Sequence, residues 1–108
     1  MRVLFDQGTP VPIRRFLEGH QIRPAAQVGW DTMRNGDLLN AAEEAAFEVL
    51  LTPDKNLAYQ QNLRCRKIAI VVISNAQWPT LEPHVDRVVA AVNAATPGSY
   101  TVVEIPLR

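Results

Sequence analysis

The feature that most constrains this chain is the run Ile68-Ala69-Ile70-Val71-Val72-Ile73, six apolar residues without a polar interruption. A strand wetted on one side alternates apolar with polar residues, whereas an unbroken run calls for burial on both faces, as in a parallel sheet clad by helices. Shorter runs, Val3-Leu4-Phe5 and Val49-Leu50-Leu51 within a strand expected over Phe47 to Leu51, repeat the theme, and Pro97-Gly98-Ser99 turns the chain into a last strand over Tyr100 to Ile105. Gln21-Ile22-Arg23 meets Pro24 at once, which predicts a short edge strand because proline donates no ladder hydrogen bond.

The segments between these runs read as helices. Thr9 is the predicted N-cap of the first, with Pro10 at its first position, Ile13, Phe16 and Leu17 facing inward and Gly19 closing it. Asn35 is the predicted cap of a second, whose Leu38, Leu39, Ala42, Ala45 and Ala46 form an apolar stripe. Asp54 caps a third, running to about Leu63. A fourth starts at Thr80 and carries Leu81, Val85, Val88, Val89 and Val92 on one face. Repeated strand-helix alternation with right-handed crossovers describes an α/β fold, a single three-layer α/β/α domain over residues 1–108 with a mainly parallel five-stranded sheet. The order 2-1-3-4-5 is the expected one if Asp6 after strand 1 and Asp54 after strand 3 are to meet, because it sets those strands side by side.

Composition excludes several classes. At 108 residues and 47% hydrophobic content the chain builds one core, not two. Eleven basic residues balance eleven acidic ones, so no global field draws it to nucleic acid or to an anionic membrane. Cys65 stands alone, so neither an intrachain disulfide nor a cysteine zinc site is available. No apolar stretch approaches the ~18 residues of a membrane span, and Met1 to Asp6 is too short for a signal-peptide core. A soluble cytoplasmic protein is the expectation.

Three acids follow likely turns: Asp6 after strand 1, Asp37 in the first turn of the second helix, and Asp54 after strand 3. In a parallel sheet these positions share the carboxyl-end rim, where open α/β sheets place their chemistry. Carboxylates ~4 Å apart repel by ~4 kcal/mol per pair at an effective dielectric near 20, and a divalent cation compensates them. The pattern therefore predicts a metal site. Each acid also has a plainer reading, since carboxylates near helix N-termini are stabilised by the macrodipole without any metal.

Taken in order, Val3-Leu4-Phe5-Asp6-Gln7-Gly8-Thr9-Pro10, Asn35-Gly36-Asp37-Leu38-Leu39 and Leu50-Leu51-Thr52-Pro53-Asp54-Lys55-Asn56-Leu57 resemble a family of short bacterial PIN-like proteins. In that family the first stretch ends Asp-Glu-Asn-Leu-Pro, the second opens a helix with an acid, and the third ends Thr-x-Asp-x-Asp-Phe. Its wider superfamily contains metal-dependent ribonucleases, many of them toxins of toxin-antitoxin pairs. The resemblance implies Mg²⁺ or Mn²⁺ held by Asp6, Asp37 and Asp54, hydrolysis of RNA phosphodiesters by a metal-activated water, and an antitoxin as partner. Gln7 and Asn56 stand where that family carries further acids, which argues against a permanent two-metal site. Mg²⁺ often needs only one or two carboxylates beside its waters and substrate phosphate. Asn56 is then a candidate for the water shell, and the tract Tyr59-Gln60-Gln61-Asn62 adds further amides whose role the sequence does not give.

Ser74 and Asn75 follow strand 4 at the same rim and are candidates for phosphate or water contacts. Arg14, with Arg15 and Arg34, lies close in chain order to the acids and is the candidate phosphate ligand. Arg64, Arg66 and Lys67 precede strand 4 and so belong to the opposite rim. His20 and His84 lack metal-ligand spacing, and Trp30 and Trp78 are expected as packing groups. The two missing acids also motivate another reading, a non-catalytic binding module that acts through a protein partner or a homodimer. A phosphoacceptor receiver shares the positions of Asp6, Asp54 and Ser74, but it needs a second acid beside the first and a lysine after strand 5, and both are missing here.

Overall fold

A computed structural model of the chain describes residues 1–33, 35–57 and 66–106. Five strands, β1 (Arg2–Phe5), β2 (Gln21–Pro24), β3 (Val49–Thr52), β4 (Ala69–Ile73) and β5 (Tyr100–Val103), form one sheet. The order is β2-β1-β3-β4-β5 and every pairing is parallel, as expected from the sequence. Helices whose bounds lie among the described residues are α1 (Asn35–Glu44), α2 (Trp78–Leu81) and α3 (Val85–Asn93), the last two joined by the 3-10 turn Glu82–His84.

Alternation within each strand divides the core into two layers. Val3, Phe5, Val49, Leu51, Val71 and Ile73 point to a first face, covered by Ile13, Leu17, Leu81, Val85, Val88 and Val92. Leu4, Leu50, Ile70 and Val72 point to a second, covered by Leu38, Leu39, Ala42, Phe47 and Leu57. All five residues of β4 are buried, which is what its unbroken apolar sequence requires. Pro24 ends β2 at the sheet edge, where its missing N–H does no harm.

Among the three connections that lie within the described residues or carry a described helix, crossover handedness departs from expectation at one. The β2-to-β3 and β4-to-β5 connections step in the same direction across the sheet, but α1 packs on the second face and α3 on the first. They therefore have opposite hands. The β1-to-β2 connection steps the other way on the first face, so it shares the hand of β2-to-β3 and leaves β4-to-β5 as the exception. Burial explains the choice. Between β1 and β2 the first face receives only a six-residue 3-10 turn, Val11–Phe16, too small to cover six large apolar strand residues. Routing α2 and α3 over that face closes it, at the cost of leaving Tyr100 and Val102 of β5 partly exposed.

The first expected helix is this 3-10 turn, and Thr9 does not cap it. Its hydroxyl donates instead to the Leu51 carbonyl (2.9 Å), and Pro10 occupies the cap position. The fourth helix begins at Trp78 rather than Thr80. Ala46 is not part of the α1 stripe: it is exposed with φ +64°. The Ala46 N–H donates to Glu43 (3.1 Å) and the Phe47 N–H to Ala42 (2.9 Å), a left-handed helix end that normally selects glycine. The expected third helix beyond Leu57, with Tyr59, Gln60, Gln61, Asn62, Leu63, Arg64 and Cys65, lies outside the described residues, as does Arg34.

Candidate functional site

The carboxyl ends of β1 and β3 are adjacent, with Phe5 paired to Leu51, and the two loops that leave them are tied together. The Asp6 N–H donates to the Leu51 carbonyl (2.9 Å), extending the ladder by one bond. Asp6-Gln7-Gly8-Thr9 then turns sharply, the Thr9 N–H returning to the Asp6 carbonyl (3.0 Å). Gly8 sits at φ +88°, a conformation side chains avoid, and a Cβ there would meet Pro53 at 3.4 Å. The strand-ending acid is thereby held against the second loop.

Thr52 joins the two acids. Fully buried, its hydroxyl donates to Asp6 Oδ2 (2.7 Å) and accepts from the Asp54 N–H (3.0 Å). Asp6 Oδ1 accepts from the Gln7 N–H (2.8 Å), and Asp54 Oδ1 from the Asn56 N–H (2.9 Å). The last bond closes an Asx-type turn, and the helix that Asp54 was expected to cap lies outside the described residues. Both carboxylates are half-buried. Among the described residues neither forms a salt bridge, and the pair found there, Arg66 with Glu43, lies at the other end of the sheet. Each carboxylate oxygen keeps a further lone pair, so these bonds do not exhaust the acceptors.

The remaining sequence candidates are placed as follows. Asp37 is exposed in the first turn of α1, toward the same rim by topology, but no hydrogen bond among the described residues links it to Asp6 or Asp54. Among the described residues no three histidine, cysteine, aspartate or glutamate side chains gather as a metal-binding group. Asn56 contributes its backbone N–H to Asp54, and its side chain is exposed. Ser74 is engaged structurally, its Oγ accepting from the Ile105 N–H (2.7 Å) beyond the end of β5. Arg14 is exposed on the 3-10 turn after β1. Thr52 is the residue that sequence reading passed over as part of a motif; its signal was a hydroxyl ending an otherwise apolar strand.

A cavity of about 390 Å³ lies at the opposite rim, lined by Phe47, Ile68, Ala95, Pro97 and the acids Glu43 and Glu48. Beside it Glu43 accepts from Arg66 Nη1 (2.7 Å), from the Lys67 N–H (2.7 Å) and from the Ile68 N–H (3.3 Å), and Arg66 also reaches Asn40 (2.6 Å). Burial pushes the Glu43 carboxyl up, but the Arg66 hydrogen bond, the two backbone donors and the Arg66 charge outweigh it and hold the group below its ordinary range. Arg66 is thus committed to a structural pair. No helix among the described residues is long and apolar enough to cross a membrane. Comparison with family models, curated proteins and solved structures gives no match.

Proposed function

We propose that the protein is a PIN-like, metal-dependent ribonuclease whose working centre is the Asp6-Thr52-Asp54 group. The supporting observation is that two carboxylates from distant parts of the chain are bridged by one buried hydroxyl at the carboxyl-end rim and are left without a basic partner among the described residues. Such a pair fits Mg²⁺ or Mn²⁺, which retain several waters and take one or two protein carboxylates. Asp6 and Asp54 would hold the ion, with Asp37 on the first turn of α1 as the third acid of the family resemblance. When bound, the ion supplies Lewis acidity and a water of lowered pKa.

The residues themselves perform definite tasks. The Thr52 hydroxyl can donate only one proton, and directing it at Asp6 fixes that carboxylate's rotamer. Its acceptance from the Asp54 N–H, two residues on, ties the start of the second loop to the same hydroxyl. Asn56 presents a neutral amide where the resembled family carries an acid, lowering the negative charge that a phosphodiester must approach.

Mn²⁺-dependent cleavage of single-stranded RNA, lost on chelation and in Asp6→Asn, is the expected result. Cleavage that survives both would end the proposal. A second reading, a non-catalytic module acting through a protein partner such as an antitoxin or through a second copy, is favoured by Gln7 and Asn56 and by the backbone donors already satisfying Asp6 and Asp54. Absence of Mn²⁺ binding by calorimetry at millimolar metal, together with a tight protein partner, would select it.

A further inference from the structure

Of the five large apolar side chains exposed among the described residues, two, Val11 (50%) and Phe16 (40%), lie on the single 3-10 turn that follows the Asp6-Thr9 loop. Phe16 stands 6.1 Å from Trp78, the rings tilted by 43°, and the Arg15 guanidinium lies 6.0 Å from the Phe16 ring centre. Trp78 is half-buried and opens α2 after the loop that leaves β4, so both halves of this patch arise from loops at the rim that carries Asp6 and Asp54.

We infer that Phe16, Trp78 and Arg15 form a stacking platform for the bases of single-stranded nucleic acid, with Arg14 and Arg15 meeting its phosphates. Exposed aromatic surface serves protein partners as well as nucleobases, and here charge decides. The 3-10 turn contains no acid and two consecutive exposed arginines, while Glu18 beyond it and Glu82, four residues after Trp78, are the exposed acids nearest the patch in sequence. Aromatic faces interleaved with guanidinium groups suit a flexible polyanion whose bases can splay out, and a duplex hides those faces in its stack. The chain's zero net charge provides no long-range attraction, so binding must rely on such a local arrangement. This inference rests on the ribonuclease reading for the identity of the polymer, and its test is independent of cleavage.

Trp30→Phe leaves Trp78 as the only tryptophan. In that background, with EDTA present, titration with short oligoadenylate at low salt should quench the fluorescence. Phe16→Leu, which keeps the apolar bulk and removes the ring, should weaken binding by about five-fold or more, the scale of one lost base stack. Arg15→Gln should weaken it and flatten its salt dependence. No quenching and no binding at low salt would overturn the inference, as would binding that both substitutions leave unchanged. Sedimentation showing a dimer that Phe16→Leu dissociates would also overturn it by assigning the patch to a second copy. Quenching without Mn²⁺-dependent cleavage would sink the ribonuclease reading alone, whereas cleavage and binding both indifferent to Phe16→Leu would sink only the platform.

Discussion

The two rims of the sheet use carboxylates in the same local way and differ in how the charge is answered. At the amino-end rim Glu43 gathers two backbone N–H groups and an arginine 2.7 Å away, so its charge is neutralised where it stands. At the carboxyl-end rim Asp6 and Asp54 also accept backbone N–H groups, yet the group between them is a neutral hydroxyl. An acid that only fastens a loop gains from an attached cation. A pair of acids held together without one among the described residues is the arrangement on which the proposed cation site rests.

Four substitutions test whether the two rims differ in this way. The largest effect is expected from Asp6→Asn, which should lower Mn²⁺-dependent RNA cleavage by about 100-fold or more, the scale of losing one group that stabilises developing charge. Circular dichroism should remain native, and an inactive but unfolded variant would not distinguish the rims. Thr52→Val keeps the shape and removes the bridge. A loss of roughly 10- to 100-fold in metal affinity or turnover is expected for a group that orients a ligand, with about 1–3 kcal/mol of stability lost because the Asp54 N–H loses its acceptor. If urea unfolding shows that stability loss and calorimetry shows unchanged Mn²⁺ affinity, Thr52 is only a fastening.

Glu43→Gln should act on stability alone, by about 1–3 kcal/mol in urea unfolding at neutral pH, with cleavage unchanged. Its pH dependence has a definite sign. The folded-state value is depressed, so the contribution is fully present above the unfolded value of about 4.3 and is lost as pH falls through the lower folded value. The glutamine variant should therefore lose less stability than the parent across that acid limb, and parallel curves would contradict the assignment. The smallest effect is expected from Ala46→Gly, which relieves the positive φ and should add about 0.5–1 kcal/mol, seen as a Tm higher by a few degrees. A lower Tm would mean that the helix end relaxes without glycine.

Legibility in the sequence followed range of interaction. The run Ile68 to Ile73 identified the doubly buried strand, Pro24 marked the edge strand, and spacing found the valines of α3 that are buried. Thr9 was misread because its competing partner, the Leu51 carbonyl, is 42 residues away. The bridging role of Thr52 is equally hidden, since the acid to which its hydroxyl donates is 46 residues away and only the bond from the Asp54 N–H is local. The stripe that included Ala46 ran one turn too far because apolar periodicity does not register a left-handed φ. The hand of the last crossover was also beyond reach, because it depends on which face of the finished sheet remains uncovered.

Residue patterns alone were enough for the class of fold and for the rim at which the acids of β1 and β3 emerge, since periodicity and proline placement are local; the strand order followed from requiring Asp6 and Asp54 to meet. Only the tertiary structure decided that Asp6 and Asp54 are joined through Thr52, that Asp37 is not hydrogen-bonded into that group and that Arg66 is consumed by Glu43. The physical reason is that a hydrogen bond's partner is chosen by distance in space, and residues 46 apart in the chain become neighbours only once two parallel strands have paired.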